Sequence, residues 1–401
     1  MSRIEGKNIV LGVSGGIAAY KSCQLVRELV REGADVRVVM TQNARKFVAP
    51  LTFQTLSGNP VAGEASDLDM ESEIGHINIA DNADLIVLAP ATANLLAKAS
   101  CGMADDLLTT VLLAATSPVI VCPAMNVNMY ENPVVQENIE RLLKRGYIVL
   151  EPEEGELACG WTGRGRLPTI EAVVEHIEKA LGPKDMTKEN ILVTAGATRE
   201  YLDSVRFISN PSTGRMGYAI ARGAWLRGAE VLLVSGHSEL PTPTGVEVVR
   251  VVSAGDMYEA VMSRLDWATV VIKAAAVGDY APTKVTSGKI KKGKDSLIVE
   301  LKRTRDILAE LGRLKDGKIV VGFAAETENV VENAKVKLRE KNSDLIVAND
   351  VTRPGSGFGA DTNAVHLIYA DGRHEELPEM SKSLVADQIL DKVLELRSSK
   401  N

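Results

Sequence analysis

Three residues whose side chains could do chemistry stand far apart in the sequence: His76, Asn126 and Cys159. Cys159 lies in the segment 157–166, which is rich in Gly and Arg. This composition predicts a mobile loop, and a thiol near two guanidinium groups is placed for chemistry. A lone histidine is more often packed or solvated, and Asn126 alone is more typical of a turn than of a site. The chemistry therefore depends on what else the chain carries.

The N-terminal segment offers a candidate anion site. An apolar run ends in Ser14, Gly15 and Gly16, and a helical pattern begins at Ile17. Glycine lets the backbone approach an anion, and the N–H groups at a helix start point towards it. Thr41, just past the next strand-like run, could add a hydroxyl. A tight strand-to-helix turn would use the same residues, and the G-x-G-x-x-G pattern is not met, so both interpretations stay open.

Polar residues also follow two further apolar runs. Thr92 and Asn94 come after the run that ends at Ala89, and Asn126 comes after Val119–Cys122. In a parallel sheet, residues that follow strands lie at the edge where ligands bind. Each of these residues alone is more typical of a turn than of a site.

The second half carries a separate set of polar and charged residues. The stretch 206–217 is small, polar and basic, which suits phosphate or carboxylate binding but also suits a long surface loop. Asp279 follows a strand-like run, and the lysine cluster 289–294 is of a kind that is usually a solvated face. Lys337 and Lys341 stand one helical turn apart and can share a face. In an acidic chain, such a concentration of lysines could bind a polyphosphate.

Composition limits the class of protein. The 401 residues are 45% hydrophobic and 25% charged, which predicts a globular protein of two domains. A net charge of −7 and 4% aromatic residues disfavour nucleic-acid and membrane-surface binding. The four cysteines and five histidines show no zinc-ligand spacing. Because neither a signal-like N-terminus nor a membrane-length apolar run is seen, we expect a cytoplasmic protein with reduced thiols.

Alternating strand-like and helical runs predict an α/β fold. We expect two domains, 1–181 and 191–401, joined by a linker at 182–190, each with a doubly wound, mostly parallel sheet. The strand-like runs are 7–13, 35–40, 85–89, 119–122, 147–150, 191–195, 230–235, 269–274 and 345–348, and 353–359 is a predicted loop.

Five separated motifs in the first half agree with one family. They are SGGIAAYK (14–21), GHI (75–77), APATAN (89–94), PAMNVNM (123–129) and ACG (158–160). In this order they resemble flavin-dependent cysteine decarboxylases, most closely phosphopantothenoylcysteine decarboxylase. The resemblance implies bound FMN, contacted by Ser14, Gly15, Gly16, Ile17, Thr41, Thr92 and Asn94.

The same resemblance implies catalytic roles. The flavin oxidises the cysteine side chain of the substrate, the carboxylate then leaves, and the flavin returns the hydride equivalent. His76 is the base, Asn126 holds the substrate carboxylate, and Cys159 donates a proton late in the reaction. A thiol suits that donor role because its reference pKa of about 8.5 keeps it mostly protonated near neutrality.

The second half resembles phosphopantothenate–cysteine ligase, in the order found in bifunctional coenzyme A biosynthesis proteins. The resemblance implies that 4'-phosphopantothenate attacks CTP, with Mg²⁺ carried largely by the nucleotide, and that cysteine then displaces CMP from an acyl-cytidylate. It assigns Asn210 and Arg206 to the acyl-cytidylate, and Ala275 and Asp279 to the cytidine nucleotide. Lys289, Lys337 and Lys341 would meet the phosphates or the intermediate, and Arg305, Asp306, Ile307, Leu308 and Phe323 would complete the nucleotide pocket.

The resemblance also implies an assembly of decarboxylase trimers, arranged as a dodecamer, with ligase dimers. His76 could then serve the flavin of a neighbouring subunit. Two alternatives share the first-half fold: a flavin prenyltransferase and a non-enzymatic regulatory subunit of a phosphatase. Cys159 and the entire second half argue against the first. A regulatory subunit does not require His76, Asn126 and Cys159 together, and this sequence has all three.

Overall fold

The computed structural model describes residues 3–63, 75–156, 160–291, 297–350, 352, 357 and 359–400. Cys159, Lys292, Lys294 and most of the predicted loop 353–359 lie outside this part of the chain. The chain forms two compact units, Met1–Gly182 and Pro183–Asn401. Among the described residues, no helix has the length and hydropathy needed to span a bilayer.

Unit 1 is a parallel sheet covered by helices on both faces. Its elements are β1 (Asn8–Val13), α1 (Ala19–Arg31), β2 (Asp35–Met40), a 3-10 helix (Ala44–Lys46), α2 (Pro50–Ser57), α3 (Gly75–Asp81), β3 (Leu85–Ala91), α4 (Ala93–Cys101), α5 (Leu107–Ala114), β4 (Val119–Pro123), α6 (Val127–Tyr130), α7 (Pro133–Lys144), β5 (Ile148–Val149), β6 (Glu153–Glu156), β7 (Thr162–Arg166) and α8 (Ile170–Leu181). The strand order is β2-β1-β3-β4-β5. Helices α1 and α8 pack on one face, and α4, α5 and α7 pack on the other.

The loop predicted at 157–166 is partly wrong. Thr162–Arg166 is a strand that pairs antiparallel with Glu153–Glu156, whereas Cys159 lies outside the described residues. The glycines that suggested a loop allow close packing instead, because a Cβ on Gly163 would lie 2.7 Å from Val127 Cγ2.

Unit 2 has a larger mixed sheet. Its elements are β8 (Asn190–Ala195), β9 (Arg199–Tyr201), β10 (Phe207–Ser209), α9 (Arg215–Leu226), β11 (Glu230–Ser235), β12 (Glu247–Arg250), α10 (Ala254–Ser263), β13 (Val270–Lys273), β14 (Tyr280–Pro282), β15 (Leu301–Arg303), α11 (Ile307–Arg313), β16 (Ile319–Glu326), α12 (Val330–Glu340), β17 (Leu345–Asp350), β18 (Thr362–Tyr369), β19 (His374–Ser381) and α13 (Lys382–Lys400). The order is β12-β11-β8-β13-β16-β17-β18-β19. Strand β18 pairs antiparallel with both β17 and β19, and the other pairings in this sheet are parallel.

The predicted α/β class with mostly parallel, doubly wound sheets is confirmed. In unit 2, α9 and α13 cover one face, and α10, α11 and α12 cover the other. Strand order reverses between β1 and β3 in unit 1 and between β8 and β13 in unit 2. At such a reversal the loops after the strands diverge and leave a crevice for a ligand. The short hairpins β9–β10 and β14–β15 were not predicted from the sequence.

Candidate active sites

A cavity of about 1150 Å³ opens at the carboxyl ends of β1 to β4 in unit 1. This volume lies just above the usual range for ligand pockets, so a cofactor and a substrate could share it. Eight residues predicted from the sequence line it together: Ser14, Gly15, Gly16, Ile17, Thr41, Thr92, Asn94 and Asn126.

The polar end of this cavity is built around the Ser14 hydroxyl. This buried group donates to the Pro90 carbonyl oxygen at 2.7 Å and accepts from the Thr92 backbone N–H at 3.0 Å. The Thr92 hydroxyl lies 3.2 Å away and caps α4 by accepting the Leu95 N–H. Ser14 therefore joins the turn after β1 to the turn after β3.

The loop after β2 packs against the same turn. A Cβ on Gly15 would overlap Asn43, so this close approach requires glycine. Thr41 donates its backbone N–H to the Val13 carbonyl oxygen at 3.0 Å, which holds its hydroxyl beside the turn. Three loops from three strands thus meet at the start of α1, where helix N–H groups favour an anion.

The β6–β7 hairpin fixes the loop that carries Asn126. The Met125 N–H donates to the Gly165 carbonyl oxygen at 2.9 Å, and the Asn126 side chain caps α6. A Cβ on Gly165 would overlap the Met125 carbonyl oxygen. The hairpin can therefore lie this close only because residue 165 is glycine.

Charged residues that sequence reasoning missed also line the cavity: Lys21, Lys98, Asp105, Asp106, Glu156 and Arg166. Lys98 Nζ lies 2.7 Å from Asp105 Oδ1 and 3.5 Å from Asp106 Oδ2. The hydrogen bond to Asp105 raises the pKa of Lys98 above its ordinary value. Asp106 resembles a simple helix cap in the sequence, and it does cap α5, so no sequence signal pointed to this group.

The structure leaves the predicted roles of two residues, His76 and Cys159, untested. His76 is the second residue of α3, is partly exposed, and is not among the described residues that line the cavity. Cys159 lies outside the described residues, three positions after Glu156, which does line the cavity. Their predicted roles stay predictions.

In unit 2, hydroxyl groups join the loops after β8 and β13. The Thr194 hydroxyl accepts the Ala275 N–H at 3.1 Å, and the Thr198 hydroxyl accepts the Gly278 N–H at 2.9 Å. These bonds hold the 275–279 loop at the crevice where the strand order reverses. Ala275, a predicted nucleotide contact, is buried in this loop.

Asn210 and Asp279 border the same loop. The Asn210 side-chain amide donates to the Val277 carbonyl oxygen at 3.4 Å, and Asp279 is exposed. Thr304 donates its N–H to the Asp279 carbonyl oxygen at 3.0 Å and its hydroxyl to the Gly278 carbonyl oxygen at 2.7 Å. Three of the predicted ligase residues, Asn210, Ala275 and Asp279, therefore lie around one loop.

Three lysines from outside the 289–294 segment stand beside this loop: Lys273, Lys337 and Lys341. They are called the lysine cluster from here on. Lys341 Nζ pairs with Asp306 Oδ2 at 2.9 Å, and removal from water lowers the pKa of Lys337. Lys273, the last residue of β13, was not predicted as a site residue. Burial, reinforced by the like charge of Lys337, lowers the pKa of Lys273 to about 8, although Asp306 and Asp279 oppose this shift. A lysine that ends an otherwise apolar strand was the sequence signal for it.

The remaining predicted nucleotide residues do not all present their side chains to the lysine cluster. The Arg305 guanidinium pairs with Glu259 at 2.8 Å and stacks on Tyr258. The Ile307 and Leu308 side chains are buried in the core, so their contacts with a ligand would have to come from the backbone. Phe323 packs with the core on the α9–α13 face, whereas Ile307 and Leu308 lie on the α10–α12 face.

The two units match two family models. The model for flavoproteins matches residues 2–182, and the model for the C-terminal domain of DNA/pantothenate metabolism flavoproteins matches residues 186–396. These matches define the class of protein: a flavoprotein domain joined to a second α/β domain.

Full-length relatives identify the family. The chain is 50% identical over 397 residues to the coenzyme A biosynthesis bifunctional protein CoaBC of Bacillus subtilis (strain 168), covering 98% of each chain. It is 46% identical over 403 residues to the CoaBC protein of Escherichia coli (strain K12), covering 99% of each. A solved structure of a CoaBC C-terminal domain is 45% identical, with a TM-score of 0.47, and covers 54% of this chain and 99% of that one.

The chain belongs to the family of coenzyme A biosynthesis bifunctional proteins. Membership over the full length confirms the expected enzyme class, a decarboxylase joined to a ligase in coenzyme A biosynthesis. It also disfavours the prenyltransferase and regulatory-subunit alternatives, which do not account for the second half.

The approach of the hairpin to the Asn126 loop yields a prediction. Gly165→Ala should displace Met125 or the hairpin, because the new methyl group would occupy the position of the Met125 carbonyl oxygen. We expect the unfolding free energy of unit 1 to fall by about 1–3 kcal/mol. Carbon dioxide release from phosphopantothenoylcysteine should fall at least roughly tenfold, because small misplacements at a site are costly.

Gly146→Ala is the control, because a Cβ at Gly146 meets nothing within 4 Å and only its left-handed backbone (φ 85°) is strained. This variant should lose stability and keep its rate of carbon dioxide release. Equal rates for the two variants would contradict the role given to the hairpin.

Proposed function

We propose that unit 2 condenses 4'-phosphopantothenate with cysteine through an acyl-cytidylate made from CTP. Unit 1 then decarboxylates the 4'-phosphopantothenoylcysteine to 4'-phosphopantetheine with FMN. The observation that carries the proposal for unit 1 is the convergence of eight predicted site residues on one cavity. For unit 2 it is the arrangement of Asn210, Ala275 and Asp279 around one loop beside a lysine cluster.

The cavity of unit 1 fits FMN by the chemistry of its walls. Ser14, Gly15 and Gly16 at the start of α1, with the Thr41 and Thr92 hydroxyls, suit the phosphate, and Ile17 and Asn94 complete this wall. Ala124, Met125, Met129 and Leu167 offer apolar surface for the flavin ring. When bound, FMN supplies the two-electron oxidation of the substrate thiol-bearing carbon and the return of these electrons.

The protein residues bind and move protons. Asn126, held at the cavity wall by the cap on α6, offers its amide to the substrate carboxylate. His76 takes a proton from the substrate, and Cys159 gives one back in the last step. As the family resemblance implies, we propose that His76 acts at the site of a neighbouring subunit.

In unit 2, the proposed nucleotide-binding groups are mainly positively charged side chains. We propose that Lys289, Lys337 and Lys341 bind the phosphates or the intermediate and that Lys273 joins them. Arg206 and Asn210 hold the acyl-cytidylate, Ala275 and Asp279 contact the cytidine nucleotide, and backbone groups of 305–308 with Phe323 complete its pocket. Mg²⁺ arrives with CTP; among the described residues no group of three or more His, Cys, Asp or Glu could hold a metal ion.

We further propose a homo-oligomer of decarboxylase trimers, arranged as a dodecamer, with ligase dimers. Both reactions run in the cytoplasm, because the proposed role of Cys159 needs a reduced thiol.

The proposal is tested with purified full-length protein loaded with FMN. Given 4'-phosphopantothenate, cysteine, CTP and Mg²⁺, it should release pyrophosphate and carbon dioxide, and ATP in place of CTP should support little pyrophosphate release. If neither product appears with flavin bound, the proposal is wrong.

The late role of Cys159 predicts a partial reaction. Cys159→Ser should keep carbon dioxide release within about threefold of the wild-type rate and lower the yield of reduced product roughly 100-fold, in line with the loss of a positioned proton donor. Mass spectrometry should detect an oxidised enethiol product, two hydrogens lighter. Pyrophosphate release by unit 2 should be unchanged. A variant that makes fully reduced product at the wild-type rate would contradict this assignment.

The lowered pKa of Lys273 predicts a pH dependence. Its ammonium is charged below a pH of about 8 and loses its proton above it, so kcat/KM for CTP should fall as pH rises through about 8. Lys273→Met should lower kcat/KM below that pH by roughly tenfold and flatten the profile. Lys273→Arg is the control, because guanidinium stays charged and the fall near pH 8 should disappear.

The thermal stability of Lys273→Met gives a second test of the role of Lys273. A lysine whose pKa is lower in the folded state destabilises the fold at pH values where it is charged, and this cost is relieved as pH rises above about 8. Without nucleotide at pH 7, Lys273→Met should therefore unfold at a higher temperature than wild type. A lower unfolding temperature together with unchanged kcat/KM would show that Lys273 is only a structural residue.

A further inference from the structure

Asp203 is fully buried in the turn between β9 and β10, next to residues of the proposed ligase site. Its Oδ1 accepts the backbone N–H groups of Val205 and Arg206, both at 2.7 Å. One carboxylate oxygen is thus enough to hold the local turn. Asp and Asn commonly stabilise turns in this way.

The other oxygen binds a segment far along the chain. Asp203 Oδ2 accepts the Ile290 N–H at 3.0 Å and lies 3.4 Å from Arg206 Nη1. Arg206 Nη1 also donates to the Ile290 carbonyl oxygen at 3.2 Å. Both polar groups of the Ile290 backbone are therefore bound, one by Asp203 and one by Arg206.

This arrangement joins two residues of the proposed site. Arg206 is bound directly, and Lys289 immediately precedes the bound residue Ile290. Lys289 itself is exposed. Because an exposed lysine on an irregular segment has many conformations, its backbone must be held for its ammonium to act at a fixed position.

The charge of Asp203 is matched to its partners. Burial alone would raise its pKa, but the N–H groups of Ile290, Arg206 and Val205 and the Arg206 guanidinium hold it below the ordinary value. An amide at this position would direct N–H groups at donors, which leaves buried donors unpaired.

We propose that Asp203 is a positioning residue of the ligase reaction, which holds Lys289 at a fixed place relative to Arg206 by binding the Ile290 amide. The inference rests on the proposed function, because it takes Lys289 and Arg206 as site residues. A role confined to the turn would not need the second oxygen.

The test uses the FMN-loaded, full-length protein with Asp203→Asn. Pyrophosphate release should lose at least roughly tenfold in kcat, with KM for CTP changed less than about threefold, because positioning acts mainly on the reacting complex. Hydrogen exchange should speed up at the Ile290 amide. Carbon dioxide release from supplied 4'-phosphopantothenoylcysteine should be unchanged.

Asp344→Asn is the matched control. Asp344 is also a buried carboxylate, 5% exposed, that accepts a backbone N–H, from Val320 at 2.8 Å, but it lies at the amino end of β17, away from the crevice. This variant should lose stability and keep its ligase kcat. Ile290→Pro removes the amide that Asp203 binds and should reproduce the kinetic loss if Asp203→Asn fails to fold.

Lys289→Gln and the double variant Asp203→Asn/Lys289→Gln distinguish a failure of the proposed function from a failure of the positioning inference. If Lys289→Gln keeps wild-type ligase activity, the proposed role of Lys289 is wrong. If Lys289→Gln loses activity while Asp203→Asn or Ile290→Pro keeps it, the positioning inference is wrong. The inference requires that Asp203→Asn adds little to the loss caused by Lys289→Gln, and two losses that simply multiply would overturn it.

Discussion

Both candidate sites depend on one constraint of parallel sheets: strands that run in the same direction end at the same edge. Residues that are far apart in sequence, such as Ser14, Thr92 and Asn126, meet because each follows a different strand of one sheet. The crevice forms where the strand order reverses, since loops on either side turn away from each other. The constraint fixes where a ligand can bind, but the contacts between loops decide which side chains reach it.

Those contacts are made mainly by side chains that bind backbone groups of another loop. Ser14 joins the loops after β1 and β3, and Thr194 and Thr198 join the loops after β8 and β13. Neutral hydroxyls suffice where the joined loops follow neighbouring strands. Asp203 joins a turn to a segment 87 residues later, and there a buried carboxylate with several donors supplies a stronger bond.

The sequence predicted the class of fold and most of the first cavity, because apolar runs followed by Gly, Ser, Thr or Asn report the ends of parallel strands. It did not predict the β6–β7 hairpin, because Gly163 and Gly165 are required by Val127 and Met125, which precede them by more than 30 residues. Lys273 and Asp203 were missed for a related reason. Their importance lies in partners that local patterns do not contain. The wall of the cavity, in contrast, repeats one local pattern after each of β1, β2, β3 and β4.

The lysines at the ligand-binding sheet edges of the two units are in different environments. This difference bears on what each edge binds. In unit 1, Lys98 is already paired with Asp105 at 2.7 Å, so this lysine adds little attraction for an anion. In unit 2, burial lowers the pKa of both Lys273 and Lys337, which means that the folded protein holds these charges at a cost to its stability. A ligand with several negative charges relieves that cost, whereas a neutral ligand does not. The energetics of the lysine cluster therefore favour a ligand with several negative charges in unit 2 over an uncharged one.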